Sequence, residues 1–343
     1  MDKMIRFSIV KCAVILVLAL TAITLSTPAV NGGSPLDAES APVATFSIVA
    51  RDSVTGELGV AVASKFFTVG NVVPWARAGV GAVATQAYCN TTFGWRGLEL
   101  LEKGLTPEEI RTVLLRNDND PGRRQLGIVS ADGRSVTYTG DGCSAWAGGR
   151  SGPNYAVQGN ILAGEQVVVA MEKAFLETRG NLADRLYAAL LAGEAAGGDS
   201  RGKQSAALLV VREGAGYGGY TDRAIDIRVD DSPEPFQELG RILNIAQMNY
   251  AWNIAWTAFT EKRFADALPP MERCAVLSPE YGEVFYDLAV IRLANDDKPG
   301  SLEALKKAVA LNPKLVAQAR GDSDLNGLHG DPAYQSIVAE TKK

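Results

Sequence analysis

The chain has 343 residues and a formal net charge of −5 at pH 7; 47% of its residues are hydrophobic and 21% are charged. These proportions are ordinary for a folded globular protein, and the length suggests two domains. Acidic and basic residues are well mixed, so no basic stripe indicates a nucleic acid or an anionic membrane surface as a partner. We therefore expect the partners to be small molecules, peptides or proteins.

The N-terminal segment has the features of a secretory signal. Three basic residues precede an apolar run, Cys12–Leu25, and small residues follow it as far as Ala29. The run is shorter than the ~20 residues that span a bilayer, which favours a cleaved signal peptide over residues 1–29 rather than a retained anchor. We expect an exported protein, periplasmic or extracellular, that is free of the membrane after signal removal.

The folded part of the chain is expected to begin at Thr45. Residues 30–44 are small and polar with proline and glycine, which predicts a linker or propeptide. Thr45–Arg51 and Leu58–Lys65 are rich in residues that favour strands, and Asp52–Glu57 between them contains the aspartate and glycine of a turn. A β-hairpin is predicted here.

The rest of the first domain alternates pairs of strands with pairs of helices. Further strands are predicted at Gly79–Gln86, Gln125–Ser130, Ser135–Thr139, Ala156–Gly159, Ser205–Arg212 and Ala224–Val229. Helices are predicted at Leu98–Lys103, Pro107–Leu115, Glu165–Thr178 and Leu182–Ala192 and after Pro235. Thr106 and Glu109 flank Pro107 in the pattern of a capping box. Because single strands and helices do not alternate strictly, we expect stacked antiparallel sheets covered by helices, an α+β fold.

From about Phe236 the pattern changes to continuous helix with an internal repeat. Five positions recur 34 residues later (313 − 279 = 34): Ile254, Ala255, Met271, Cys274 and Pro279 return as Leu288, Ala289, Leu305, Ala308 and Pro313. This period, with small residues where two helices cross and a proline closing each unit, resembles tetratricopeptide repeats. We therefore divide the folded chain into a first domain, residues 45–232, and an all-α helical-repeat domain, residues 233–343.

The scarcity of histidine restricts the chemistry. The only histidine is His329, near the C-terminus, so Ser/His/Asp and Cys/His mechanisms and histidine-ligated zinc are not expected in the first domain. Cys89, Cys143 and Cys274 form no close-spaced metal motif, and a Cys89–Cys143 bridge stays open. We expect no metal and no cofactor.

Thr45 offers a mechanism that needs no histidine. If the chain is cut directly before Thr45, its hydroxyl becomes the nucleophile and its own α-amine, with a pKa of about 7.7–8, becomes the base. One residue then supplies both groups.

Seven collinear segments of the first domain carry family-like motifs: Thr45–Asp52, Gly59–Lys65, Pro74–Ala82, Thr85–Ala87, Tyr155–Asn160, Gly197–Asp199 and Gln204–Ala207. Together they closely resemble domain-of-unknown-function family 1028 over about residues 45–231. The resemblance implies a fold similar to the N-terminal-nucleophile hydrolases, a four-layer αββα sandwich, whose members mostly cleave amide bonds. It implies no known substrate.

The resemblance carries over to Thr45 as a nucleophile only if the bond between Ala44 and Thr45 is cut. Hydrolases of this type can cut themselves, the threonine attacking the preceding carbonyl. Gly59–Lys65 also resembles the second strand of proteasome-type subunits, but Ala63 stands where those have an aspartate. A lysine partner of that type has no clear equivalent, and Arg77 is the nearest candidate.

Further candidates surround Thr45 in this interpretation. Asn160 and Gln86 are candidate amide donors to an oxyanion or a substrate carbonyl. Ser47 and Ser64 could orient the α-amine, and with Asp199 they are the candidate substrate-binding residues. Each also has a structural explanation, since strand alternation accounts for the two serines and turn chemistry for an aspartate after two glycines.

The leading hypothesis is an exported amidohydrolase that acts through Thr45 on a small amide or peptide. The alternative is a non-catalytic binding module on the same fold, with the helical repeats attaching a protein partner or the cell wall; a homo-oligomer is also possible. A third option uses Ser64 or Cys143 as the nucleophile without processing, although neither has a visible base.

Overall fold

The structure describes residues 45–339; in this computed structural model they form two antiparallel β-sheets, helices packed on both, and a helical C-terminal region. The strands are β1 (Thr45–Arg51), β2 (Leu58–Ser64), β3 (Pro74–Arg77), β4 (Gly81–Ala87), β5 (Arg124–Ser130), β6 (Ser135–Thr139), β7 (Gly148–Gly152), β8 (Tyr155–Asn160), β9 (Ser205–Val211) and β10 (Arg223–Val229). The helices are α1 (Thr92–Glu102), α2 (Pro107–Arg116), α3 (Gln166–Glu177), α4 (Leu182–Ala195), α5 (Pro235–Thr260), α6 (Phe264–Leu277), α7 (Gly282–Ala294), α8 (Lys298–Leu311), α9 (Leu315–Gly321) and α10 (Pro332–Val338). The predicted signal peptide and linker lie outside the described residues.

The strand order confirms the expected antiparallel arrangement. One sheet has six strands in the order β10-β9-β2-β1-β8-β7, and the other has four in the order β3-β4-β5-β6. Every pair of neighbouring strands runs antiparallel. The strand that begins at Thr45 therefore has a hydrogen-bonded neighbour on each side.

The β1–β2 hairpin forms as predicted. Its last strand pair is Arg51 and Leu58, and the Asp52 carboxylate accepts hydrogen bonds from the backbone N–H groups of Val54 and Thr55 at 2.8 and 2.9 Å. Gly56 has a φ of +75°, a conformation that costs glycine little because it has no Cβ. The turn residues thus fix the register that places Thr45 opposite the end of β2.

The two faces of β1 pack against different layers. Phe46 and Ile48 lie in a core shared with α3 and α4, whereas Val49 lies in a core shared with the four-stranded sheet. Helices α1 and α2 pack on that second sheet. Because side chains alternate along a strand, Thr45 and Ser47 face the space between the two sheets, as Val49 does.

The helix α2 begins as predicted, and two strands arise that the sequence did not predict. Thr106 and Glu109 form a reciprocal capping box ahead of Pro107. Strand β3 is short, and β7 consists of glycine, arginine and serine, residues with low strand preference. Both form because neighbouring strands supply hydrogen-bond partners.

The C-terminal region is helical from α5 onward, and α5 joins it to the first domain. Phe236 and Leu239, near the start of α5, lie in the core of the first domain, while Met248 and Ala255 lie in a separate core of the C-terminal helices. Helices α6 and α8 begin at Phe264 and Lys298, 34 residues apart (298 − 264 = 34). Within the described residues, no helix has the length and hydropathy to cross a membrane.

Candidate functional site

Three of the predicted site residues meet at one end of the six-stranded sheet. Thr45, at the start of β1, pairs with Ser64 at the end of β2 and with Asn160 at the end of β8. The Thr45 hydroxyl donates to the Ser64 hydroxyl oxygen at 3.3 Å. Thr45, Ser64 and Asn160 are all buried, with exposed fractions of 0%, 2% and 1%. Two hydroxyl side chains and one amide side chain from adjacent strands are therefore buried together at this end of the sheet.

Gln86 connects this group to the second sheet. Its side-chain amide nitrogen donates to the carbonyl oxygen of Thr45 at 3.2 Å and to Oε1 of Gln125 at 2.8 Å. Its own Oε1 accepts a hydrogen bond from the Ser47 hydroxyl at 2.5 Å. The two amide hydrogens thus contact oxygens of the protein, and Gln86 fixes the backbone of Thr45 against β4.

Gln125 lies at the centre of the polar network. Its Oε1 accepts from Gln86 and, at 2.9 Å, from the Asn160 amide. Its amide nitrogen donates to the Gly159 carbonyl at 2.7 Å and to the Thr139 hydroxyl at 2.8 Å. A fully buried amide with partners on both its oxygen and its nitrogen stabilises the site, since unmet hydrogen bonds would cost free energy.

Gln158 completes the network from β8. Its amide nitrogen donates to the Ser47 hydroxyl at 2.6 Å, so Ser47 both accepts from Gln158 and donates to Gln86. Ser47 therefore contacts the glutamines, whereas Ser64 contacts the Thr45 hydroxyl directly. The structure assigns different surroundings to these two predicted residues.

Asp199 lies next to the strand end that carries Ser64. Its carboxylate accepts a hydrogen bond from the backbone N–H of Lys65 at 2.9 Å and forms a two-point ion pair with Arg201 at 3.1 and 2.9 Å. Only 1% of the Asp199 side chain is exposed. The aspartate therefore joins the loop after α4 to the end of β2, as a buried and fully engaged group.

The structure does not bring Arg77 to this group. Arg77 pairs with Gly81 at the far end of β4, five residues before Gln86 (86 − 81 = 5), which corresponds to about 16 Å along a strand. Its guanidinium forms an exposed ion pair with Glu102 at 2.6 Å.

The cysteines of the described residues are free thiols, so Cys89 and Cys143 are not bridged here. Burial raises the pKa of Cys89 to about 11 and raises the pKa of Cys143 as well. Both thiols are therefore protonated near neutral pH, and a protonated thiol is a weak nucleophile.

The sequence interpretation missed Gln125, Gln158 and Arg201. The two glutamines lie in strands whose other residues are mostly small or apolar, and such isolated polar residues resemble solvent-facing positions. The signal that could have found them is shared with Gln86: β4, β5 and β8 each carry a single glutamine among mostly small or apolar residues. Nothing comparable marks Arg201, which follows Asp199 in a turn.

Comparison with known proteins assigns the chain to a family. A sequence profile described as a family of unknown function, DUF1028, matches residues 45–239. Among solved structures the chain is similar to a DUF1028 protein from Silicibacter pomeroyi, with 30% identity and a TM-score of 0.55 over 60% of this chain and 89% of that chain. No curated protein matches the chain. Because the profile covers more than half of the 343 residues, the chain belongs to the DUF1028 family of unknown function.

Proposed function

We propose that this protein is an amide hydrolase whose nucleophile is Thr45, exposed at a new N-terminus by cleavage after Ala44. The observation that carries the proposal is the position of Thr45, at the first residue of an interior strand with the Ser64 hydroxyl 3.3 Å from its own. The family match also begins at residue 45. Helices α1 and α2 contact one sheet, α3 and α4 contact the other, and the two sheets contact each other. These layers support an αββα sandwich of the N-terminal-nucleophile type.

Cleavage before Thr45 can proceed within the chain. The Thr45 hydroxyl oxygen attacks the carbonyl carbon of Ala44, the C–N bond to Thr45 breaks, and an ester joins Ala44 to the threonine. The hydroxyl proton ends on the released nitrogen, which becomes the α-amine. Water then attacks the ester and releases the Ala44 carboxylate, restoring the Thr45 hydroxyl. Thr45 is fully buried in the full-length chain, so this step would also have to open the site.

Substrate hydrolysis then repeats the same acyl transfer. The α-amine takes the Thr45 hydroxyl proton while the oxygen attacks the substrate amide, and the resulting ammonium gives the proton to the departing amine. Water hydrolyses the acyl ester with the α-amine again as base. The products are an amine and a carboxylic acid.

The surrounding residues have different parts in this proposal. Ser64 orients the Thr45 hydroxyl, and Asn160 lies on the opposite neighbouring strand, where an amide can stabilise a developing oxyanion. Gln86, Gln125 and Gln158 are positioning residues, because Gln86 and Gln158 contact β1 and Gln125 contacts Gln86 and Asn160. Asp199 supports the end of β2.

The C-terminal helices fit two tetratricopeptide repeats, which we propose as a partner-binding region. The 34-residue offset of α6 and α8 supports this assignment. So does the burial of equivalent small residues, since Ala255 and Cys274 are as buried as Ala289 and Ala308. Together with the N-terminal sequence pattern, we propose that the protein is exported before it acts.

A binding module without catalysis is the second candidate. The complete burial of Thr45 and the engagement of both Gln86 amide hydrogens favour it, because a closed polar network needs no reaction to explain it. A covalent probe separates the two. A β-lactone should acylate the Thr45 hydroxyl of processed protein, and peptide mapping should locate the adduct on the peptide that begins with Thr45. A processed protein that binds small amides but is never acylated would support the binding module.

A further inference from the structure

One carboxylate in the C-terminal region accepts hydrogen bonds from two tryptophans. The indole N–H groups of Trp252 and Trp256, one turn apart on α5, both donate to the same oxygen, Oδ2, of Asp287 on α7, at 2.7 and 2.8 Å. Within residues 45–339, no other hydrogen-bond donor and no basic side chain at ion-pair distance contacts this carboxylate. Its second oxygen, Oδ1, is left to accept a further hydrogen bond.

Aromatic rings flank this carboxylate on an accessible surface. Tyr281 packs edge-on against Trp252 with ring centres 5.7 Å apart, and 44% of Tyr281 is exposed. Trp252, Trp256 and Asp287 are each partly exposed. Indole and phenol rings attract cations through their electron-rich faces, most strongly in the case of tryptophan.

The neighbouring carboxylates are engaged elsewhere and add negative charge. Glu283 accepts from the Asn312 amide at 2.7 Å, and Asp322 accepts from the Tyr286 hydroxyl at 2.7 Å. Both indole donors are neutral, so they do not balance the negative charge of Asp287 in a site that is partly shielded from water. A cation that contacts Oδ1 would offset that charge.

We propose that Asp287, Trp252 and Trp256 form a binding site for an organic cation that carries N–H donors, a primary ammonium or a guanidinium group. The N–H donor contacts Oδ1, and the cation lies against the rings. Such a group occurs on a lysine or arginine side chain of a partner and on free amines. This site lies outside the Thr45 site and is independent of hydrolysis.

The test uses the full chain and calorimetric titration with three probes: the peptide acetyl-Gly-Lys-Gly-amide, the same peptide with norleucine for lysine, and n-butylammonium. We expect the lysine peptide to bind and to change tryptophan fluorescence, and the norleucine peptide to bind at least about tenfold more weakly, since charge-assisted hydrogen bonds are worth about 1.5–3 kcal/mol. Lysine peptide binding well above that of n-butylammonium would indicate a protein partner; equal binding would indicate a free amine. Equal binding of the lysine and norleucine peptides, or no heat from any probe, would overturn the proposal.

Two matched variants distinguish a cation-binding site from a purely structural contact between α5 and α7. Asp287→Asn keeps an oxygen to accept both indoles but removes the charge, and we expect it to fold normally and lose lysine peptide binding by about tenfold or more. Glu283→Gln removes the same charge one helical turn away and should weaken binding by less than about threefold, because the Glu283 carboxylate is engaged by the Asn312 amide and does not contact the bound cation. If Asp287→Asn is folded by circular dichroism and binds like the wild type, or if both variants lose binding equally, the proposed contact with Oδ1 is wrong.

Discussion

The Gln86 side chain in the four-stranded sheet donates to the carbonyl oxygen of Thr45 in the six-stranded sheet, 3.2 Å away. The position of the proposed nucleophile therefore depends on both sheets, through one buried amide. Gln125 extends this dependence, because it contacts Gln86 and Asn160 with a single oxygen. Replacing any member leaves the others with unmet hydrogen bonds.

Gln125→Leu should destabilise the protein by about 2–4 kcal/mol, because it leaves two buried amide donors and a buried carbonyl without their partner. Urea unfolding measured by circular dichroism gives this difference. The matched control is Gln166→Leu on the exposed surface of α3, which should change the free energy of unfolding by about 0.5 kcal/mol or less. Equal effects of the two substitutions would show that the network does not stabilise the fold.

Asp199→Ala should be far more damaging than Glu102→Ala, although each removes a carboxylate from an arginine. Asp199 is buried and also accepts the Lys65 N–H, so its loss should cost about 3 kcal/mol or more. The Glu102 pair with Arg77 is exposed, so its loss should cost less than about 1 kcal/mol. Thermal unfolding of both variants compares them, and a similar loss in each would contradict the supporting role of Asp199.

The stability difference between Asp287→Asn and the wild type should depend on pH. Burial, with repulsion from Asp322 and Glu283, raises the pKa of Asp287 from 3.8 to about 6 against the lowering effect of the two indoles. A raised carboxyl pKa means that ionisation costs the folded state free energy, so wild-type stability is lost as pH rises from about 4 to about 6.

Asparagine cannot ionise, so the variant should match the wild type near pH 4 and exceed it by up to about 3 kcal/mol near pH 7.5. Urea unfolding of both proteins across this range measures the difference. A constant difference at all pH values would show that ionisation of Asp287 does not destabilise the folded state.

Alkylation of Cys89 and Cys143 tests how well the folded protein protects these two thiols. Because the pKa of Cys89 is about 11, its thiolate fraction near pH 7.5 is roughly 300-fold below that of a free cysteine. We expect iodoacetamide to alkylate Cys89 and Cys143 slowly in folded protein and rapidly in denaturant, as judged by peptide mass. Thiols that stay unmodified in denaturant without reductant would indicate a bridge between them.

Local patterns in the sequence predicted the parts of the fold that local chemistry determines. The β1–β2 hairpin follows from strand-forming runs around Asp52 and Gly56, and α2 follows from the capping box of Thr106 and Glu109. Strand β7 could not be predicted in this way, because its glycines gain strand geometry only from pairing with β8.

The candidate site was predictable only in part, because some of its contacts depend on how the two sheets pack and not on local sequence. Thr45, Ser64 and Asn160 come together through the register of three strands, which a hairpin and a family resemblance could indicate. The contacts of Gln125 depend on how two sheets pack face to face, and no local pattern encodes that distance. Arg77 was placed near the site by analogy, and the opposite end of β4 separates it from Thr45.

The N-terminus of the mature protein tests the proposed role of Thr45 most directly. Intact mass and N-terminal sequencing should find Thr45 as the first residue in the wild type and in Thr45→Ser, whose hydroxyl can still attack the Ala44 carbonyl. Thr45→Ala should remain uncut between residues 44 and 45. A mature, fully active wild-type chain that begins before Thr45, or a Thr45→Ala protein cut at the same bond at the same rate, would show that Thr45 is not the nucleophile.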